Sequence, residues 1–155
     1  MKYSRLTKEQ FEELHKEFIN FLATQSITAE EWSKIKTEKP EVAEQELDVF
    51  SDLVWEGVLN KAKYLEHISK SYMHLFCLKE SKMHAIAITL KNDVDLTTKA
   101  GFNWLRENLL DDNVALLQAT KDYSEDKNLD KFKLIQQGSV ITKGELYTFF
   151  NKLIN

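Results

Sequence analysis

The sequence predicts a single α+β domain over residues 1–155. A small antiparallel sheet is built on a central hairpin at about 72–90 and packed by five or six helices. Three observations predict it. Apolar residues recur at spacings of three and four along most of the chain. Three stretches open with a hydroxyl residue followed three places later by Glu or Gln: Thr7 with Gln10, Thr28 with Glu31, and Thr142 with Glu145. Only residues 72–90 place two apolar runs either side of a short polar turn. One proline and four glycines argue against a many-turned β-sandwich or a long linker. A chain of this length buries roughly 70% of the surface its unfolded form exposes, enough for a real core.

The elements follow in order. Thr7 opens a predicted amphipathic helix over 8–24, with Phe11, Leu14, Phe18, Phe21 and Leu22 on one face. Thr28 opens a short helix to about Lys36 around Trp32 and Ile35. Pro40 suits a first helical turn, where its missing amide costs nothing. Ala43, Leu47, Phe50, Val54 and Val58 then trace the stripe of the longest helix, 40–60. Residues 61–69 read equally as its last turns or as a first strand. After a polar break at 91–95, Phe102, Leu105 and Leu109 mark a helix over 97–110, with Trp104 alongside. Residues 114–120 lean towards a strand, and 121–127 read as a charged loop. A short helix begins at Asn128, carries Leu129, Phe132 and Ile135, and is closed by Gly138 as a left-handed cap. Thr142 opens the last helix, with Leu146, Phe149, Phe150 and Leu153 as its inner face.

The hairpin has a checkable register. With residues 79–82 as the connection, Leu78 faces Met83, Cys77 faces His84, Leu75 faces Ile86 and Met73 faces Ile88. One face then carries Met73, Leu75, Cys77, His84, Ile86 and Ile88. The other carries His74, Phe76, Leu78, Met83, Ala85 and Ala87. Neither face is polar, so helices or further strands are expected to cover both.

The net charge of −4 disfavours a general grip on nucleic acid or anionic lipid. No run approaches the ~20 apolar residues of a membrane span. Cys77 is the only cysteine and can form no internal disulfide, which suits a reducing, cytoplasmic setting. Charge is segregated: residues 7–60 hold five lysines against thirteen acidic residues, and residues 61–82 hold five lysines against two. An acidic helical surface facing a basic protein partner is one reading, and ordinary solvated helix faces are the plainer one.

Candidate chemistry gathers on the hairpin. Cys77 and His84, with His67 as a third donor and Asp93 or Asp95 supplying oxygen, are the candidate metal ligands. His74 lies on the opposite strand face and cannot join them. Cys77 and His84 also suggest a nucleophile pair, but no orienting third group or oxyanion hole is visible. The plainer reading makes both packed, hydrogen-bonded boundary residues. Lys61, Lys63, Lys70, Lys79 and Lys82, interleaved with Tyr64 and Tyr72, form the candidate nucleic-acid surface, with Lys70, Lys79 and Lys82 as its main contacts, against the plainer reading of a lysine-guarded strand edge. The stretch from Asn92 to Asp95 opens like a calcium loop, but Thr98 and Trp104 stand where glycine and a bidentate glutamate are needed. No glycine-rich phosphate loop or dinucleotide fingerprint is present, and no cofactor is implied.

Three segments carry a resemblance: residues 2–10, residues 39–61, and Tyr64 to His67 with Met73 to Phe76. Together they resemble a family of small uncharacterised proteins of Bacteroidetes, especially flavobacteria, along the full length. The resemblance implies a bacterial cytoplasmic setting and no particular activity. Members sometimes carry a histidyl-tRNA synthetase label, which this chain does not support. It is too short for that catalytic domain and lacks its ATP-binding arginine motifs. The leading expectation is a non-enzymatic interaction or accessory protein using its acidic helices. A metal-dependent or Cys–His enzyme centred on Cys77 and His84 is the alternative, and an RNA- or translation-associated factor is the third reading.

Overall fold

The computed structural model describes residues 1–155. Seven helices and five strands follow the order α1 (Lys8–Glu13), α2 (His15–Thr24), α3 (Ala29–Glu38), α4 (Pro40–Lys61), β1 (Tyr64–Ile68), β2 (Tyr72–Leu78), β3 (Lys82–Leu90), α5 (Lys99–Glu107), β4 (Val114–Asp122), α6 (Lys127–Gln136), β5 (Val140–Thr142) and α7 (Glu145–Ile154). The architecture is α+β, as expected. Residues form two compact units, 1–60 and 61–155.

The first unit is helical. Both predicted capping boxes at Thr7 and Thr28 form. The helix expected over 8–24 is two helices, because Leu14 leaves the helical region at φ −100° and ψ 22°. That break lets Phe11 and Phe18 both reach Phe50, with ring centroids 5.9 and 5.0 Å away. Phe21 and Trp32 complete the aromatic cluster, 5.4 Å from Phe50 and 5.3 Å from Phe18. Such pairs each add about 1 kcal/mol beyond the area they bury.

Ahead of α1, residues 2–6 are tied to α4 by polar bonds. The amides of Lys2 and Tyr3 donate to Asp52 at 2.8 and 2.9 Å. Arg5 bridges Glu44 and Asp48, and the Leu6 amide donates to Ser51 Oγ at 3.1 Å. The Tyr3 hydroxyl donates to Glu56 at 2.5 Å. Burial first, and this bond second, push the Tyr3 phenol up to about 12. A folded-state value above the unfolded one, near 10, makes a contribution complete below about pH 10 and lost as pH rises through about 12. The stability gap between wild type and Tyr3→Phe should therefore shrink over that window. Denaturant melts across alkaline pH check it, and a gap that stays constant refutes the assignment.

The second unit holds the sheet, in the order β4-β3-β2-β1-β5, with every pairing antiparallel. The hairpin register is the predicted one, from Leu78 opposite Met83 to Met73 opposite Ile88. The ambiguous stretch 61–69 contains a strand, β1. Met73, Leu75, Ile86 and Ile88 form one buried face with Leu105 of α5 and Phe150 of α7. On the other face, Leu65, Leu78 and Met83 pack against Tyr123 and against Leu134 and Ile135 of α6. The expected cover on that face stops short of β4, where Leu117 is 65% exposed.

Two further expectations are corrected. β4 runs on to Asp122, so the loop expected at 121–127 is only 123–126, and Asp126 caps α6. Thr142 does not cap the last helix. It ends β5 and accepts from the Gly144 amide at 3.1 Å, while Gly144, at φ 82°, is the N-cap residue. A Cβ there would lie 2.5 Å from the Tyr64 ring, so glycine is required twice over. Gly138 is left-handed at φ 118°, as expected.

Candidate functional site

The sheet face under α7 changes character along its length. Near the β1–β2 turn its residues are large and aliphatic, and Phe150 seals them completely. Near the β2–β3 turn the same face carries Cys77, His84, Gln118 and Thr120, which are shorter or polar. The helix does not close on them, and a groove of about 650 Å³ remains. That volume lies in the usual range for small-molecule sites. Its far wall is one side of α7: Tyr147, Thr148, Asn151 and Lys152, spaced at three and four, with Asn155 after them. Tyr64 of β1 and Lys79 of the β2–β3 turn complete it.

Cys77 and His84 are cross-strand partners on this face, as the register predicts. They are half-buried, as boundary residues are, and they line the groove. Burial pushes the Cys77 thiol up, while Lys79 and a hydrogen bond from Tyr64 pull it back part of the way. The thiol form therefore dominates at neutral pH, and nucleophilic chemistry needs the thiolate. The Tyr147 phenol is also raised, first by burial and then by the nearby Cys77 and Tyr64. The Tyr64 and Tyr147 rings lie 5.9 Å apart at 45°. The Asn155 side-chain amide donates to Gln118 at 3.0 Å and to Asn151 at 2.8 Å, tying α7 to β4 across the groove.

The structure separates other residues that the sequence grouped. His67 pairs with His74 and so lies on the opposite sheet face from Cys77 and His84. There it packs edge-on to Tyr72, at 5.3 Å, and to His74, at 6.2 Å. Burial, then His67, lowers the His74 pKa. Asp93 and Asp95 follow the far end of β3 from His84, and Asp95 accepts from the Thr97 amide at 2.9 Å. No three His, Cys, Asp or Glu side chains converge as a metal would require. Lys79 and Lys82 flank one turn, but Lys70 sits in the turn at the other end of β2, about 20 Å along the strand. Lys70 therefore stands apart from Lys79 and Lys82, whereas Lys63 lies beside Lys79, its carbonyl accepting from the Leu78 amide at 2.8 Å.

The α7 wall was missed because the sequence reading set its inner face at Leu146, Phe149, Phe150 and Leu153. Instead Leu146, Tyr147, Phe150 and Ile154 pack inward, and Phe149 and Leu153 are exposed. The helix is rotated towards Tyr147, whose ring meets Tyr64. A usable signal did exist: Tyr147, Thr148, Asn151, Lys152 and Asn155 form a polar strip free of acidic side chains.

A different surface lies on α4, which carries six acidic residues and ends in its one lysine, Lys61. Val49 and Leu53, one turn apart, are 50% and 57% exposed. Gly57 continues their row, with open space where its Cβ would be. Glu46 flanks the row on one side, and Asp52 and Glu56 flank it on the other, by helical spacing.

The whole chain, residues 1–155, matches a family of unknown function, DUF6495, and belongs to it. No curated protein and no solved structure matches. No helix is long and apolar enough to cross a membrane.

Proposed function

We propose that this member of the family is a non-enzymatic binding protein whose acidic helical unit, residues 1–60, docks a basic amphipathic helix of a partner protein. The observation that carries the reading is the exposed row of Val49 and Leu53 on α4, set between carboxylates. Apolar side chains one turn apart are the anchors that helix-on-helix recognition uses. Flanking carboxylates favour lysine and arginine beside those anchors and speed encounter. Composition agrees: residues 1–60 hold seven basic and thirteen acidic side chains, against fourteen and twelve in residues 61–155. Part of that acidity is used internally: Arg5 holds Glu44 and Asp48, Asp52 accepts from the Lys2 and Tyr3 amides, Glu56 accepts from Tyr3 and pairs with Lys2, and Glu46 accepts from Gln25. The acidic surface is therefore less free than the sequence suggests, and a basic partner would have to share the carboxylates beside the α4 row with Lys2, Tyr3 and Gln25. The lone cysteine fits a reducing bacterial cytoplasm.

Affinity capture from the native organism, with wild-type and Val49→Asp/Leu53→Asp baits, tests the reading. Both positions are at least half exposed, so the variant should fold normally. The expected result is a basic protein held by wild type, released at about 0.5 M salt, and lost with the variant. A partner recovered equally by both baits, or no specific partner at low salt, overturns it.

A further inference from the structure

We propose that the groove between α7 and the sheet binds a small organic anion, its carboxylate or phosphate held by Lys79 and Lys152 beside His84, its planar body against Tyr64 and Tyr147. This site is separate from the α4 surface and does not depend on that reading.

Three observations converge. First, none of the thirteen lining residues is Asp or Glu, in a chain with 25 acidic residues among 155. Second, Lys79 and Lys152 come from separate elements, a strand turn and a helix, yet line one cavity. Neither the Lys79 nor the Lys152 ammonium group is in an ion pair. An anion seated between them would be attracted by both charges. A charge-assisted bond from each would be stronger there than in open water.

Third, the remaining lining suits the body of an organic ligand. The two tyrosine rings, 5.9 Å apart and tilted, offer apolar faces. The amides of Gln118, Asn151 and Asn155 already form one network in the groove, able to hydrogen-bond a ligand's polar substituents. The lining is mainly polar, and the two rings are its main apolar surface. An inorganic anion alone would leave the tyrosine walls unused, so a ring bearing the charge is the better fit.

Amide-resolved NMR titration at neutral pH and low salt tests the proposal with three probes: phenyl phosphate, benzoate and the neutral benzyl alcohol. Saturable shifts are expected at Tyr64, Cys77, His84, Tyr147 and Lys152 for one or both anions, at concentrations up to about 10 mM, the weak end for fragment-sized ligands. Whichever anion binds more tightly assigns the head group. Lys79→Met and Lys152→Met should each weaken binding about tenfold. Cys77 gives a second readout, because it is the sole cysteine and sits in the groove. Its maleimide labelling should slow in proportion to anion occupancy. Equal binding of benzyl alcohol, shifts confined to other surfaces, or unchanged affinity in both lysine variants each overturns the proposal.

Discussion

Gly101→Ala should lower stability by about 3 kcal/mol or more, the upper part of the range for overpacking, and reduce Tm by about 10 °C. Gly101 lies in the first turn of α5. A Cβ built there would be 1.7 Å from the Asp95 carbonyl oxygen and 2.5 Å from its carbon. Both are backbone atoms, so no side chain can swing aside. The Asp95 carbonyl is itself fixed: it accepts from the Thr98 amide at 3.2 Å and from the Thr98 hydroxyl at 2.8 Å. That hydroxyl also accepts from the Gly101 amide at 3.0 Å as the cap of α5. Relief requires moving the helix or breaking its cap, and α5 carries Leu105, which is fully buried in the sheet core. Thermal denaturation followed by circular dichroism checks the expectation. A variant melting within about 2 °C of wild type would sink this account of the cap.

Phe150→Ala should cost about 4 kcal/mol, as expected for a large aromatic removed from a closed core. Phe150 has no exposed surface and packs with Met73, Leu75, Ile86 and Ile88 beneath α7. Its ring also meets Phe102 edge-on at 6.3 Å. It is thus the contact through which both helices of that face share one core. Phe149→Ala provides the control, since Phe149 is 39% exposed, and it should cost well under half as much. Chemical denaturation of the two variants gives the comparison. Equal losses would mean that α7 is not seated as described.

Much of this fold could be read from local pattern. The hairpin register followed from side-chain alternation and a four-residue connection, because a slip of one place would turn an aliphatic face outward. The capping boxes at Thr7 and Thr28 were legible because their bonds span only three residues. What escaped depends on distant partners. β1 is five residues with two charged or polar side chains among them, and it becomes a strand because β2 and β5 flank it. β5 has only three residues and no pattern of its own. Thr142 carried a capping signature, yet its neighbour pairs with β1 and the chain must turn at Gly144 to clear the Tyr64 ring. For the groove, Cys77 facing His84 was legible, whereas the α7 wall was not. Helix rotation is set by which ring meets Tyr64, and no helical period records that.

The strand order carries a consequence for how the molecule is assembled. β1 to β4 are joined as neighbours in sequence, so four strands of the sheet can zip up from contacts that need little chain closure. β5 must instead travel back to β1, pairing Thr142 with Tyr64, and it delivers α7 behind it. The proposed binding cavity therefore rests on the longest-range pairing in the sheet, the one with the largest closure cost. Because α7 also brings Phe150 into the sheet core, the cavity and that core stand or fall together.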